Sequence, residues 1–278
     1  MTVVKYVDVA SKEAIFEGNG WDALVVVAAD LSAIKVEEVA LLANHGQKVD
    51  QRVGKSVTLL FAPGIAGGRL VIAPVTKAKD EYEDVRVFAD AARQGIRVAK
   101  EAGAKRPLLL VNGIAESRYQ KAAEVSALAC GQELWQALEL REAGGADDSL
   151  ECIGLLSDAE NAATLTAVEA GRVLARDLCG TEPERMSAPA FADYCLAALA
   201  DSGLTMSVVE DRDILERDYP LLSAVGRSSF AVLRHQPRVV KLEYVGEGEI
   251  ERTFMFAGKG VVYDTGGADI KIAGGMAG

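Results

Sequence analysis

The sequence predicts an α/β protein of two domains, the first a mixed sheet flanked by helices. Three observations predict it. Short, nearly continuous apolar runs of strand length alternate with stretches of helical spacing as far as Leu156. A long helical pattern follows, and beyond it a second half restarts with its own helices and strands. Half of the 278 residues are hydrophobic while only 6% are aromatic, the balance of an Ala- and Val-rich globular chain rather than a disordered one.

Each element has its own reason. "WDALVVVAAD" (Trp21–Asp30), "SVTLLFAP" (Ser56–Pro63), "RLVIAPV" (Arg69–Val75), "PLLLVNG" (Pro107–Gly113) and "LECIGLL" (Leu150–Leu156) are continuous apolar runs, as in strands covered on both faces. "APGIAGGRL" joins the second and third as a hairpin-like turn. Helical spacing covers Asp84–Gly103, with Val85, Phe88, Ala92, Ile96 and Ala99 in one stripe, and Glu116–Arg141. Arg141–Leu150 reads as a loop. From Asp158 to Cys179 the spacing predicts a long connecting helix, with Asp158 as N-cap and Gly180 as its stop. The domain boundary is placed within it, giving domains over 1–165 and 166–278. In the second half, Ala190–Leu199 reads as helix, Leu204–Glu210 as strand and Asp211–Tyr219 as a short helix. "RVVKLEYVG" and "RTFMFAGKGVVYDTGG" then read as consecutive strands in the middle of a sheet.

Charge narrows the partners. Thirty basic residues stand against 41 acidic ones, a net charge of −11, and no basic run appears. Nucleic-acid binding rests on clustered Lys and Arg, so a nucleic-acid partner is not expected. The four cysteines (Cys130, Cys152, Cys179, Cys195) form no C-x-x-C pair and read as buried, reduced thiols, which points to a cytoplasmic address. Lys5, Asp8 and Lys12 interrupt the N-terminal stretch, which lacks the apolar core of a signal peptide. The longest apolar run, Ala23–Ala29, is far short of the ~20 residues of a membrane helix, so no membrane partner is expected either.

The tail "AGKGVVYDTGGADIKIAGGMAG" (Ala257–Gly278) carries the chemistry. Lys259, Asp264 and Lys271 stand at intervals among seven glycines. The expected strand before Lys259 would place it at a sheet's carboxyl edge, where α/β sites collect. Glycine there lets the backbone approach a ligand closely. A phosphate loop is excluded by pattern: it requires G-x-x-x-x-G-K-[ST], and Gly260 follows Lys259. The dinucleotide fingerprint fails as well, because Tyr263 occupies its last glycine position. What remains is a solvated Lys259–Asp264 salt bridge or a metal centre. In the second case the carboxylate supplies a hard oxygen, and the lysine ligates as a neutral amine.

"GKGVVYDTGGADIK" closely resembles the signature of the leucyl (cytosol) aminopeptidases, G-K-G-[apolar]-x-[FY]-D-[ST]-G-G-x-x-[apolar]-K. "ARDLCGTEPERMSAPAFADYCLAAL" is similar to the family's interdomain segment, and "PLLSAVGRSSFAVLRHQPRVVKLEY" to its V-G-x-x-S turn and following strand. The likeness spans about 165–278; before that it is one of architecture. It implies a macro-like, non-catalytic N-terminal domain followed by the opening part of an α/β zinc-peptidase-like catalytic domain. It further implies two divalent metal ions, zinc by default, with manganese or magnesium able to replace it at the lysine-side site. Lys259 then matches the ligand of the more loosely held ion and Asp264 the bridging ligand. Lys271 matches the catalytic lysine, which contacts the scissile carbonyl and is no ligand. The implied activity is release of N-terminal residues from peptide substrates by metal-activated hydroxide, in a cytoplasmic homo-oligomer that in the family is a hexamer.

Thr265 stands where the family often has serine, and "GTEPER" departs from its usual linker. The family's further aspartate, its Asp-x-Glu pair and its catalytic arginine have no counterpart here. The resemblance therefore implies a truncated chain, inactive by itself. A catalytically dead relative serving as a structural or regulatory subunit is the alternative, and nucleotide or nucleic-acid binding by the first domain a further rival. His45 and His235 read as loop or surface residues, Asp269 as a loop acid, and Met276 as packing or as a border of the pocket for the substrate's first side chain. Glu182, Glu184 and Arg185 read as decoration of the interdomain turn.

Overall fold

A computed structural model of the chain describes residues 3–16, 18–76, 82–114, 116–147, 149–156 and 161–262. The chain forms two compact units, Met1–Val173 and Leu174–Gly278.

The first unit is built on a six-stranded sheet of order β1-β6-β5-β2-β4-β3. The strands are β1 (Tyr6–Asp8), β2 (Ala23–Ala28), β3 (Thr58–Phe61), β4 (Arg69–Pro74), β5 (Pro107–Asn112) and β6 (Ile153–Leu155). All pairings are parallel except β3 with β4, which the short "APGIAGG" connection makes antiparallel. β2 lies between β4 and β5, and all six of its residues are buried. Its alternation divides the core in two. Ala23, Val25 and Val27 meet Phe88, Ala92 and Ile96 of α2 (Arg86–Glu101) and Ala127 and Cys130 of α3 (Ala122–Leu134). Leu24, Val26 and Ala28 meet Ile15, Leu31 and Val39, the last on α1 (Glu37–Val49). A continuous apolar strand is thus one with a helical layer on each face. α2 sits so close to the sheet that a Cβ at Gly95 would lie 2.7 Å from Val25 Cγ1.

The structure departs from the sequence reading at four places in this unit. β1 and α1 were not expected. α1 buries Val39 and Ala43, with Ala40 and Leu42 partly buried against the same core, and leaves Leu41 and Val49 in water. His45 is accordingly an exposed helical residue of α1, not a loop residue. The helix expected over Glu116–Arg141 breaks at Trp135, which turns to an extended backbone, and resumes as α4 (Leu138–Glu142). Gln136 holds the break open: its amide donates to Asp147 O and its Oε1 accepts Asp147 N–H, each at 3.0 Å. The connecting helix is α5 (Ala162–Gly180). Asp158, the expected cap, lies outside the described residues. The cap position is held by Asn161, whose Oδ1 accepts Thr164 N–H at 2.8 Å, while Asp8 of β1 accepts Ala162 N–H at 2.9 Å.

Two polar groups buried beneath α5 have hydrogen-bond partners. Tyr6 O–H donates to Ala127 O at 2.7 Å, and fully buried Glu169 accepts Arg172 Nη1 at 2.9 Å. Burial raises the Tyr6 phenol and the Cys130 thiol far above their ordinary values. Cys130, Cys152 and Cys195 are buried free thiols, but Cys179 is exposed on α5, against the expectation for all four. One thiol is therefore expected to react with a maleimide in the native chain and four after unfolding, which mass spectrometry of the labelled protein checks.

The second unit holds the rest of α5, then α6 (Ala188–Ala198), β7 (Thr205–Val209), α7 (Arg212–Asp218), α8 (Pro220–Gly226) and β8 (Val239–Glu243). Asp211 caps α7 by accepting Ile214 N–H at 3.0 Å. β7 and β8 form a two-stranded antiparallel sheet, with Thr205 opposite Glu243 and Val209 opposite Val239. Among the described residues no helix is long and apolar enough to cross a membrane.

Candidate metal centre

The tail is carried by β8. After Glu243 the chain leaves the sheet, and residues 244–262 form neither helix nor strand. This corrects the expectation of a further mid-sheet strand in "RTFMFAGKGVV". The Phe254 and Phe256 rings stack at 6.5 Å, the side-by-side placement of alternate residues on extended backbone. Yet Phe256 is 93% exposed. The apolar composition favours a strand, but a strand exists only where a neighbour completes its ladder, and among the described residues β8 pairs only with β7.

Of the three expected site residues, the described structure places one. Lys259 is exposed on the unpaired segment. Asp264 and Lys271 lie outside the described residues, as do Thr265, Asp269 and Met276. Among the described residues no three His, Cys, Asp or Glu side chains converge as a metal site. The donor types nevertheless suit divalent ions: an amine nitrogen and a carboxylate oxygen, with glycines between them. An amine ligates only after losing its proton, so such a role requires Lys259 to be desolvated beside a dication.

Upstream, the second unit is tied by polar contacts that the sequence did not announce. Asp177 of α5 is fully buried, and Tyr194 O–H of α6 donates to its Oδ2 at 2.8 Å. Thr181 donates to the Asp177 carbonyl through both its N–H (3.2 Å) and its hydroxyl (2.6 Å), closing the helix end. Glu184 is more than decoration of the turn: its carboxylate takes Arg234 on one oxygen and His235 Nε2 on the other, the latter at 2.6 Å. Arg234 first, and His235 after it, hold the Glu184 carboxyl below its usual range. His235 is thus a turn residue with a carboxylate partner. Fifty residues separate Arg234 from Glu184, and no local pattern marks such a pair.

Residues 173–278, the stretch containing this frame and the Gly-rich tail, match the cytosol aminopeptidase family, catalytic domain. The matches support the leucyl (cytosol) aminopeptidase family for this chain. A Caenorhabditis elegans protein named as an aminopeptidase is 35% identical over 272 residues, covering 93% of this chain and 52% of that protein. The M17 aminopeptidase of Trypanosoma brucei shares the fold with a TM-score of 0.63 at 18% identity, over 88% of this chain and 49% of its own. The bottromycin maturation enzyme BotP, solved with manganese, superposes with a TM-score of 0.58 at 21% identity, over 81% of this chain and 45% of its own. The chain spans about half the length of these family members. The likeness extends well upstream of residue 173, so the first unit also shares the family's architecture.

Proposed function

We propose that the chain supplies the lysine and aspartate ligands and the catalytic lysine of a metal-dependent aminopeptidase acting on peptide N-termini. The observation that carries this reading is "GKGVVYDTGGADIK", set within a stretch that matches the family's catalytic domain. On this reading residues 1–165 form a non-catalytic domain and 166–278 part of the catalytic one. Lys259, as neutral amine, and Asp264 would hold two divalent ions. Zinc is the default, and the manganese bound by BotP supports a second choice. When bound, such ions supply Lewis acidity, which acidifies water toward neutral pH and polarises a carbonyl. Lys271 would remain cationic and stabilise the negative charge that develops on the scissile carbonyl oxygen. Two lysines 12 residues apart would thus work in opposite protonation states.

The residues present offer two metal donors and one catalytic cation, so turnover is assigned to a protein in which the family's other ligands join them. A cytoplasmic homo-oligomer, a hexamer by family likeness, is part of the same proposal. The test is titration of the full-length protein with zinc and with manganese, following metal content and hydrolysis of an aminoacyl-amide together. Metal-dependent release of the amino acid is the expected result. Stoichiometric metal without hydrolysis would indicate a catalytically dead relative, and no metal uptake would end the reading.

A further inference from the structure

The first unit carries a cationic groove that the peptidase reading does not use. It has a volume of about 530 Å³ and lies between α2 and α3, with Arg172 of α5 at its wall. Arg86, Asp90 and Arg93 fall on one face of α2 at spacings of four and three, and Gln132 faces them from α3. Leu128 and Ala129 add apolar lining. Three guanidiniums therefore line the groove against a single carboxylate, in a chain whose net charge is −11.

Each guanidinium has a carboxylate partner, and two of those carboxylates do not line the groove. Asp84, which does not line it, accepts Arg86 Nε at 2.8 Å. Fully buried Glu169 accepts Arg172 Nη1 at 2.9 Å, and Leu128 O accepts the same nitrogen at 2.8 Å. Arg93 donates to Asp90 and, at 3.3 Å, to Gln132 Oε1. The Arg93 and Arg172 side chains are each only 33% exposed, so their direction is set by packing. A guanidinium has five N–H donors, and among the described residues Arg172 donates only through Nη1. Forked cationic donors around a pocket of ligand size suit a planar or tetrahedral oxyanion.

The geometry points to this groove as a binding site for a small multivalent oxyanion, a phosphate group or a polycarboxylate. The bland reading is three ordinary surface ion pairs. It does not account for three cations meeting one lining acid while two of their partner carboxylates are not part of the lining.

The test is calorimetric titration of the 278-residue chain with pyrophosphate and with citrate at constant ionic strength. One saturable site for either probe is expected, and the probe that binds identifies phosphate or polycarboxylate as the ligand class. Arg86→Gln and Arg93→Gln should each weaken binding roughly tenfold, the size of a lost charge-assisted hydrogen bond. Both substitutions spare the buried Glu169–Arg172 pair, and circular dichroism verifies their folding. Arg52→Gln removes an arginine held by Asp50 outside the groove and should leave affinity unchanged. Absence of saturable binding by both probes, or equal affinity in wild type and both groove variants, overturns the assignment.

Discussion

Asp264→Ala is expected to abolish aminoacyl-amide hydrolysis and to lower the content of both divalent ions, whereas Lys271→Ala should leave metal content at the wild-type level. The two substitutions separate the roles that the tail motif implies. A carboxylate shared by two ions is a ligand to each, so its loss weakens both sites and no water is activated. On the proposed reading Lys271 would act by charge on the developing oxyanion, and removing one such group typically costs about 10²–10³ in kcat. Its loss should therefore lower kcat with little change in KM or in metal stoichiometry. Elemental analysis after dialysis, alongside kinetics of the same full-length samples, reads both quantities. Equal metal depletion in the two variants would remove the role assigned to Lys271. Metal retained in full by Asp264→Ala would remove the metal centre altogether.

Phe88→Ala should destabilise the first unit by about 3–5 kcal/mol, the largest effect expected of a single core truncation. The ring is fully buried where α2 meets the sheet, tilted against Tyr119 with centroids 5.7 Å apart. Removing it takes away a large apolar surface and leaves a cavity between helix and sheet that backbone packing cannot close. Leu221→Ala provides the contrast. Leu221 is 84% exposed on α8, and its truncation should stay within about 0.5 kcal/mol. Urea unfolding followed by circular dichroism measures both. A Phe88→Ala chain as stable as the Leu221→Ala chain would show that the two-sided core is not what holds the sheet.

Phe88 also shows what a single sequence exposes. It stood in the stripe Val85, Phe88, Ala92, Ile96, Ala99, and helix α2 buries Phe88, Ala92, Ile96 and Ala99 of that stripe. The all-apolar run of β2 likewise announced a strand covered on both faces, and it is one. The stretch around Phe254 and Phe256 was just as apolar and is unpaired. The difference is not in the residues but in the neighbour: β2 has β4 and β5 on its two sides, whereas nothing among the described residues completes a ladder for 252–257. Lys259 was legible as a candidate because the motif is local. Its surroundings were not, since they depend on what the rest of the fold brings to it.

By itself the sequence determined the α/β class, five of the six strands in the first sheet, the long helix between two halves, and a motif that names the family. These follow from periodicity, composition and order, which are properties of neighbouring positions. Only the tertiary structure decided that β1 lies beside β6, that Asp8 supports the start of α5, and that α3 breaks where Gln136 meets Asp147. It alone decided that Glu184 grips Arg234 and His235, and that three arginines share one groove. The physical reason is range. A hydrogen-bond ladder, a cap borrowed from another strand and an ion pair across 50 residues exist only once distant segments are packed, and no window of local sequence contains both partners.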